Sequence, residues 1–170
     1  GQPSGPAGDP CDGRLNLLLS YADLARSPEG EQLCRVLEPL GIASYTVGSG
    51  EEAEALLREL AIHIAVVDWA IPLRRNAARY EPAGPRILQL LGRLQTPPPT
   101  VIVRPPQPKV RESTRGLSEA LRAGAFAVLD QPVALERLLE VLRRILRRHY
   151  QDGWPDGPPG PHSPPSTSSS

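Results

Sequence analysis

Asp68 closes an apolar run, Ile62-His63-Ile64-Ala65-Val66-Val67, and Pro72 follows four residues later. A run this rich in β-branched residues reads as a strand buried on both faces of a parallel sheet. In open α/β sheets, ligands and chemistry collect just beyond the carboxyl ends of the strands. A carboxylate standing there either takes part in chemistry at the sheet edge or caps the next turn by accepting backbone N–H bonds. No rival constellation competes with it. The chain has no Gly-rich phosphate loop, no Ser/His/Asp spacing and no zinc pattern. Cys11 and Cys34 form no Cys-x-x-Cys or Cys/His cluster, so they read as two reduced thiols. His63 alternates into the buried run and reads as a satisfied core residue, while His149 and His162 have no metal spacing.

The elements that would position Asp68 follow a simple order. Leu15 to Leu19 reads as a first strand. Ser27-Pro28-Glu29 supplies an N-cap, a proline at the first helical position and an early acid. Leu33, Val36, Leu37 and Leu40 then form a helical stripe that Gly41 ends. Ala43 to Val47 is the second strand, and Ser49 to Glu52 has the capping-box pattern ahead of the stripe Ala53, Leu56, Leu57 and Leu60. After the strand Ile62 to Val67, the segment Leu73 to Gly84 has no periodicity and reads as loop. Ile87, Leu90, Leu91 and Leu94 mark a third helix, and Thr100 to Val103 a fourth strand. Arg104 to Arg111 contains three prolines and reads as irregular. Leu117, Ala120 and Leu121 mark a fourth helix closed by Gly124, Ala125 to Leu129 a fifth strand, and Ala134 to Tyr150 the last helix.

Five β-α units imply an α/β fold: a flavodoxin-like, doubly wound parallel sheet of strand order 2-1-3-4-5. In that order the switch point lies between strands one and three, whose ends are Ser20 and Asp68. The core domain is expected over residues 14–150 of the 170, flanked by Pro/Gly/Ser-rich tails at 1–13 and 151–170 that carry too few apolar residues to order. Formal net charge is zero, which nominates neither nucleic acid nor an anionic membrane as partner. No stretch is long and apolar enough to span a bilayer and no signal peptide is visible, so a cytoplasmic setting is expected.

On these residues the chain resembles the receiver domain of bacterial response regulators, across roughly Leu15 to His149. Three blocks carry the likeness: Ile-Ala-Val-Val-Asp68-Trp-Ala-Ile-Pro72, Glu-Ala-Leu-Arg-Ala-Gly-Ala at Glu119 to Ala125, and Leu129-Asp130-Gln131-Pro132-Val133. The resemblance implies that Asp68 occupies the phosphoacceptor position of a two-component phosphorelay. A carboxylate attacking a phosphoryl group needs a divalent cation, because two anions otherwise repel. Mg²⁺ prefers an octahedral set of oxygens. The family supplies an acidic pair after strand one, a hydroxyl after strand four, a lysine after strand five and a switching aromatic on strand five.

This chain departs at each of those positions. The acidic pair falls on Ser20 and Tyr21, with Asp23 nearby. The hydroxyl position falls on Pro105, beside Arg104. The lysine position falls on Gln131, and the switch aromatic on Val128. The resemblance therefore implies a degenerate receiver, or pseudo-receiver. Such a signalling module has no enzymatic activity, no cofactor and no metal, and it acts by protein-protein interaction through helix four, strand five and helix five. Trp69 and Arg104 are candidate recognition residues. The alternatives are a working phosphoacceptor, with Asp68 and Asp23 holding Mg²⁺ and Arg104 replacing lysine, and a flavodoxin-like small-ligand binder. The family pattern also suggests a cis bond at Gln131-Pro132.

Late in the last helix, Arg143, Arg144, Arg147 and Arg148 read as a solvated end favoured by the helix dipole. The loop from Leu73 to Gly84 is longer than the short turn the family uses. It reads as a recognition surface or as mobile filler.

Overall fold

The computed structural model describes residues 14–21, 27–106 and 110–150. Five parallel strands form one sheet in the order β2-β1-β3-β4-β5, as the β-α alternation predicts. They are β1 (Leu15–Ser20), β2 (Ile42–Thr46), β3 (Ile64–Asp68), β4 (Thr100–Arg104) and β5 (Ala127–Asp130). The α-helices are α1 (Pro28–Leu37), α2 (Gly50–Glu59), α3 (Gly84–Gly92), α4 (Val110–Arg122) and α5 (Leu135–His149).

Alternation along the strands divides the core into two layers, because successive side chains point to opposite faces. Leu15, Leu17 and Leu19 of β1, with Ile64 and Val66 of β3, pack against Leu33 and Leu37 of α1 and Leu138, Leu142 and Ile145 of α5. Leu18, Ala65, Val67 and Ile102 face the other way, onto Ala53 of α2, Ile87 and Leu91 of α3 and Ala120 of α4. β3 is buried at every residue, as expected of a central strand covered on both faces.

The two helix starts read from the sequence form as expected. Ser27 Oγ accepts the Gly30 N–H at 3.1 Å ahead of α1, and Ser49 Oγ accepts the Glu52 N–H at 3.2 Å ahead of α2.

Several boundaries differ from expectation. The first helical stripe is narrower: Leu33 and Leu37 are buried, but Val36 and Leu40 are 39% and 46% exposed. Pro39 cannot continue an α-helix. Glu38–Leu40 therefore tightens into a 3₁₀ turn that carries Leu40 outward, and Gly41 ends it at φ 82°. β3 begins at Ile64 rather than Ile62; the His63 N–H instead donates to Asn16 O at 2.9 Å, ahead of the regular ladder. β5 begins at Ala127, because the Ala125 N–H closes the end of α4 on Ala120 O at 3.1 Å. α4 begins at Val110, so the segment read as irregular is helical at Val110 and Arg111. All three of its prolines precede Val110, where they do not interrupt a helix. Leu117 and Leu121, which mark this helix in the sequence, are 37% and 47% exposed, and Ala120 is the residue of that stripe that turns inward.

His63 is the satisfied core histidine expected. Its Nδ1 accepts the Asn16 backbone N–H at 2.9 Å, and its carbonyl accepts the Tyr150 hydroxyl at 2.7 Å. Cys34 is free and half-buried. Cys11 and both expected tails lie outside the described residues.

Candidate functional site

Parallel register brings the carboxyl ends of four strands to one edge. Ser20 pairs with Val67, Asp68 with Val103, and Arg104 with Asp130. The residues one step beyond, Tyr21, Trp69, Pro105 and Gln131, complete the edge. The positions singled out in the sequence, apart from Asp23 and Val128, thus lie together. Asp23 falls outside the described residues. Val128 lies within β5 and packs, partly buried, against the core layer of α2, α3 and α4.

At the end of β1, Ser20 is fully buried. Its hydroxyl donates to the Val66 carbonyl of β3 at 3.1 Å. Tyr21 is only 6% exposed and belongs to the core layer of α1 and α5. Neither contributes a carboxylate.

At the end of β3, Asp68 is 9% exposed. Its Oδ1 accepts the Ala70 N–H at 3.0 Å, the two-residue turn that aspartate favours. The Ile71 N–H donates to Asp68 O at 3.1 Å and completes the turn. The Trp69 N–H donates to Val103 O at 2.8 Å, extending the sheet one step past Asp68. The Trp69 backbone also presses on the start of α3. A Cβ on Gly84 would stand 2.5 Å from Trp69 Cα and 2.7 Å from its carbonyl carbon, so that helix position tolerates only glycine.

The segment from Leu73 to Gly84 is ordered by contacts at both ends. Pro72 and Pro82 form an isolated antiparallel bridge. The Leu73 N–H donates to Glu81 O at 2.8 Å and the Ala83 N–H to Ile71 O at 2.7 Å. Asn76 takes a left-handed conformation at φ 56°, which asparagine tolerates in a turn. The first N–H groups of α2, at Gly50 and Glu51, donate to Pro72 O and Leu73 O at 2.8 and 2.9 Å. These are donors that a helix start leaves without intrahelical partners. Arg74 Nε donates to Glu51 Oε2 at 2.8 Å. Arg75 grips Glu52 through two nitrogens, Nε to Oε2 and a terminal nitrogen to Oε1 at 3.0 Å. The hydrogen bond from Arg75 holds the Glu52 carboxyl below its usual range, assisted by the Gly48 N–H at 3.1 Å. The Tyr80 hydroxyl donates to Ala70 O at 2.7 Å. Partial burial, and then the nearby Asp68 charge, push the Tyr80 phenol up.

At the ends of β4 and β5, Arg104 is 5% exposed. Its Nε donates to Asp130 Oδ1 at 2.8 Å. Gly116 of α4 lies against the same guanidinium: a Cβ there would come within 2.9 Å of it. The Gln131 N–H donates to Arg104 O at 2.9 Å, and Gln131-Pro132 is cis. The cation at this edge therefore comes from β4 and is matched by a carboxylate of β5. Sequence reasoning weighed Arg104 and passed over Asp130, although the register that pairs them follows from the strand order. It also missed Tyr80, which carries no motif, and the second role of Glu52, which it read only as a cap.

The resemblance implies Mg²⁺ at such an edge. Among the described residues, no group of three His, Cys, Asp or Glu side chains could hold a metal ion. Asp68 Oδ1 is engaged by Ala70, and the Ser20 hydroxyl is turned to Val66. The donor set among the described residues does not fit an octahedral oxygen site.

Solved structures share this strand order and helix placement. The chain matches a CheY-like response regulator receiver domain from Methanospirillum hungatei JF-1 with a TM-score of 0.60 and 20% identity, over 82% of this chain and 99% of that one. The fold is that of a receiver domain. The receiver domain of the Francisella response regulator 1452 matches with a TM-score of 0.58 and 20% identity, over 79% of this chain and 98% of that one. The receiver domain of NtrX from Brucella abortus matches with a TM-score of 0.56 and 17% identity, over 78% and 98%. No family model matches the sequence, and no curated protein matches it. Among the described residues, no helix of this receiver fold is long and apolar enough to cross a membrane.

Proposed function

We propose that this chain is a pseudo-receiver: a cytoplasmic signalling module that keeps the receiver fold and acts by binding a protein partner without phosphorylation of Asp68. One observation carries the reading. Where phosphoryl transfer needs carboxylates to hold a cation, Ser20 is sealed with its hydroxyl on Val66 and Tyr21 is core. A phosphoryl group on Asp68 would also lack the hydroxyl and lysine that stabilise it, since Pro105 and Gln131 stand there. Arg104, the cation that could substitute, is engaged by Asp130. The partner face is the open edge made by β5 with α4 on one side and α5 on the other. It exposes Leu117 and Leu121. Arg143, Arg144, Arg147 and Arg148 of α5 are exposed as well, whereas Arg35, Arg58, Arg74, Arg75, Arg86 and Arg137 all have carboxylate partners. A partner with apolar and acidic groups fits that edge. A small-ligand role has less support: the cavity of about 470 Å³ near the sheet edge is flanked by Glu29 and Glu136, the wrong sign for a nucleotide or flavin phosphate.

The test is a titration with Mg²⁺ and beryllofluoride, read by backbone NMR, with Asp68→Asn as control. Unchanged shifts around residues 66–71 and 102–106 are expected. Saturable shifts lost in Asp68→Asn would overturn the proposal and establish a working phosphoacceptor.

A further inference from the structure

The segment from Trp69 to Ala83 spans the sheet edge between the starts of two helices. It is tied to α2 through Gly50, Glu51, Arg74 and Arg75, and to α3 through Gly84. Between these anchors it passes beside Asp68. The carboxylate faces Ala70, a residue of the segment itself, and the Tyr80 hydroxyl is bonded to the carbonyl of that same residue. One residue is thus gripped on its N–H by Asp68 and on its carbonyl by Tyr80. Ala70 thus fills one acceptor position of Asp68 Oδ1, on a residue that is only 9% exposed.

We propose that residues 69–83 form a strap that closes the Asp68 carboxylate to solution, with Tyr80 as its latch and the Arg74–Glu51 and Arg75–Glu52 pairs as its clamp. This deepens the pseudo-receiver reading and rests on it: Asp68 is retained as a turn anchor, and the strap is what it anchors. The strap works by geometry rather than by bulk. Tyr80 itself is 60% exposed, so it shields little surface. It holds Ala70 where the Ala70 N–H reaches Asp68 Oδ1. Arg75 acts farther along the same segment, fixing the bend that follows the Pro72–Pro82 bridge. Local opening is therefore controlled by a hydrogen bond on one side and an ion pair on the other, a low-energy unit on a rigid sheet.

Carboxylate footprinting of the full chain tests this directly and needs no metal. Carbodiimide with glycine methyl ester amidates accessible carboxylates, and peptide mass spectrometry reads the extent at Asp68 against exposed Glu59. Slow labelling of Asp68 is expected in the wild type. Tyr80→Phe with Arg75→Ala should raise it about fivefold or more, since the Tyr80 hydrogen bond alone is worth about that change in open population. Amide exchange at Ala70 should quicken in parallel, and exchange at Val66 should not. Should the double variant unfold, Tyr80→Phe alone decides, since it keeps the ring and removes only the hydroxyl. Asp68 labelling as fast as Glu59 in the wild type, or unchanged in the variants, overturns the strap and leaves the pseudo-receiver reading intact. Beryllofluoride shifts that depend on Asp68 would overturn that reading separately.

Discussion

Arg104 Nε and Asp130 Oδ1 stand 2.8 Å apart, joining the last residues of β4 and β5. The pair is lopsided: the arginine side chain is 6% exposed and the aspartate side chain 50%. Removing either partner therefore has a different effect. Asp130→Ala takes the carboxylate from a buried cation, whereas Arg104→Ala leaves a carboxylate that water can still solvate. Asp130→Ala is expected to cost about 2 kcal/mol, the usual worth of a hydrogen bond to a charged group. Urea unfolding of both variants checks it. A loss within error at Asp130 would mean that the pair contributes only as much as an exposed one.

Gly84→Ala should be among the most damaging single substitutions. The added methyl meets the Trp69 main chain, which cannot swing aside as a side chain would. Overpacking of this kind costs roughly 1–3 kcal/mol. Gly92→Ala is the matched control, because a Cβ there meets nothing within 4 Å. In α3 that change should stabilise by up to about 1 kcal/mol through helix propensity. Parallel denaturation curves give both signs at once.

Glu52 sets an acid limit on the strap. Its folded carboxyl titrates below the ordinary range because of Arg75. A depressed acid contributes stability that is present above its unfolded value and is lost as pH falls through the folded one. The clamp should thus hold at neutral pH and release only in acid. With both side chains well exposed, solvent screening leaves the pair a small contribution to global stability. The check is an NMR titration of the Glu52 carboxyl: its midpoint should rise toward the ordinary value in Arg75→Ala. An unmoved midpoint would remove Arg75 as the cause.

Tyr150 ties the end of α5 to the start of β3, its hydroxyl donating to His63 O at 2.7 Å. Its ring meets the His63 ring edge-on at 6.5 Å. Tyr150→Phe should cost about 1 kcal/mol, since it deletes one hydrogen bond and keeps the ring. Burial also raises the Tyr150 phenol. A raised group contributes stability below its unfolded value and loses it as pH rises through the folded one, so the tyrosine protein should weaken more steeply in alkali than the phenylalanine variant. Thermal unfolding across an alkaline series separates the two proteins, and equal slopes would count against a buried phenol.

Local patterns were enough for the architecture. Apolar runs separated by capped amphipathic stripes dictate strands and helices, and their alternation leaves few topologies once crossovers are right-handed. Asp68 could be placed at the edge for the same reason, because strand ends are local facts. The helix caps at Ser27 and Ser49 were equally readable, since each cap is made by residues three apart. The contacts that give the edge its character join residues far apart in the chain. Arg104 meets Asp130 across 26 positions, Glu52 meets Arg75 across 23, and Ser20 reaches Val66 across 46. Which of many arginines meets which carboxylate depends on register and on how a non-periodic segment folds back. Neither is encoded in any short window. The sequence thus offers Asp68 as a turn cap with unusual neighbours, and three-dimensional packing decides what closes around it: Ser20 turned to Val66, Arg104 to Asp130 and Tyr80 to Ala70.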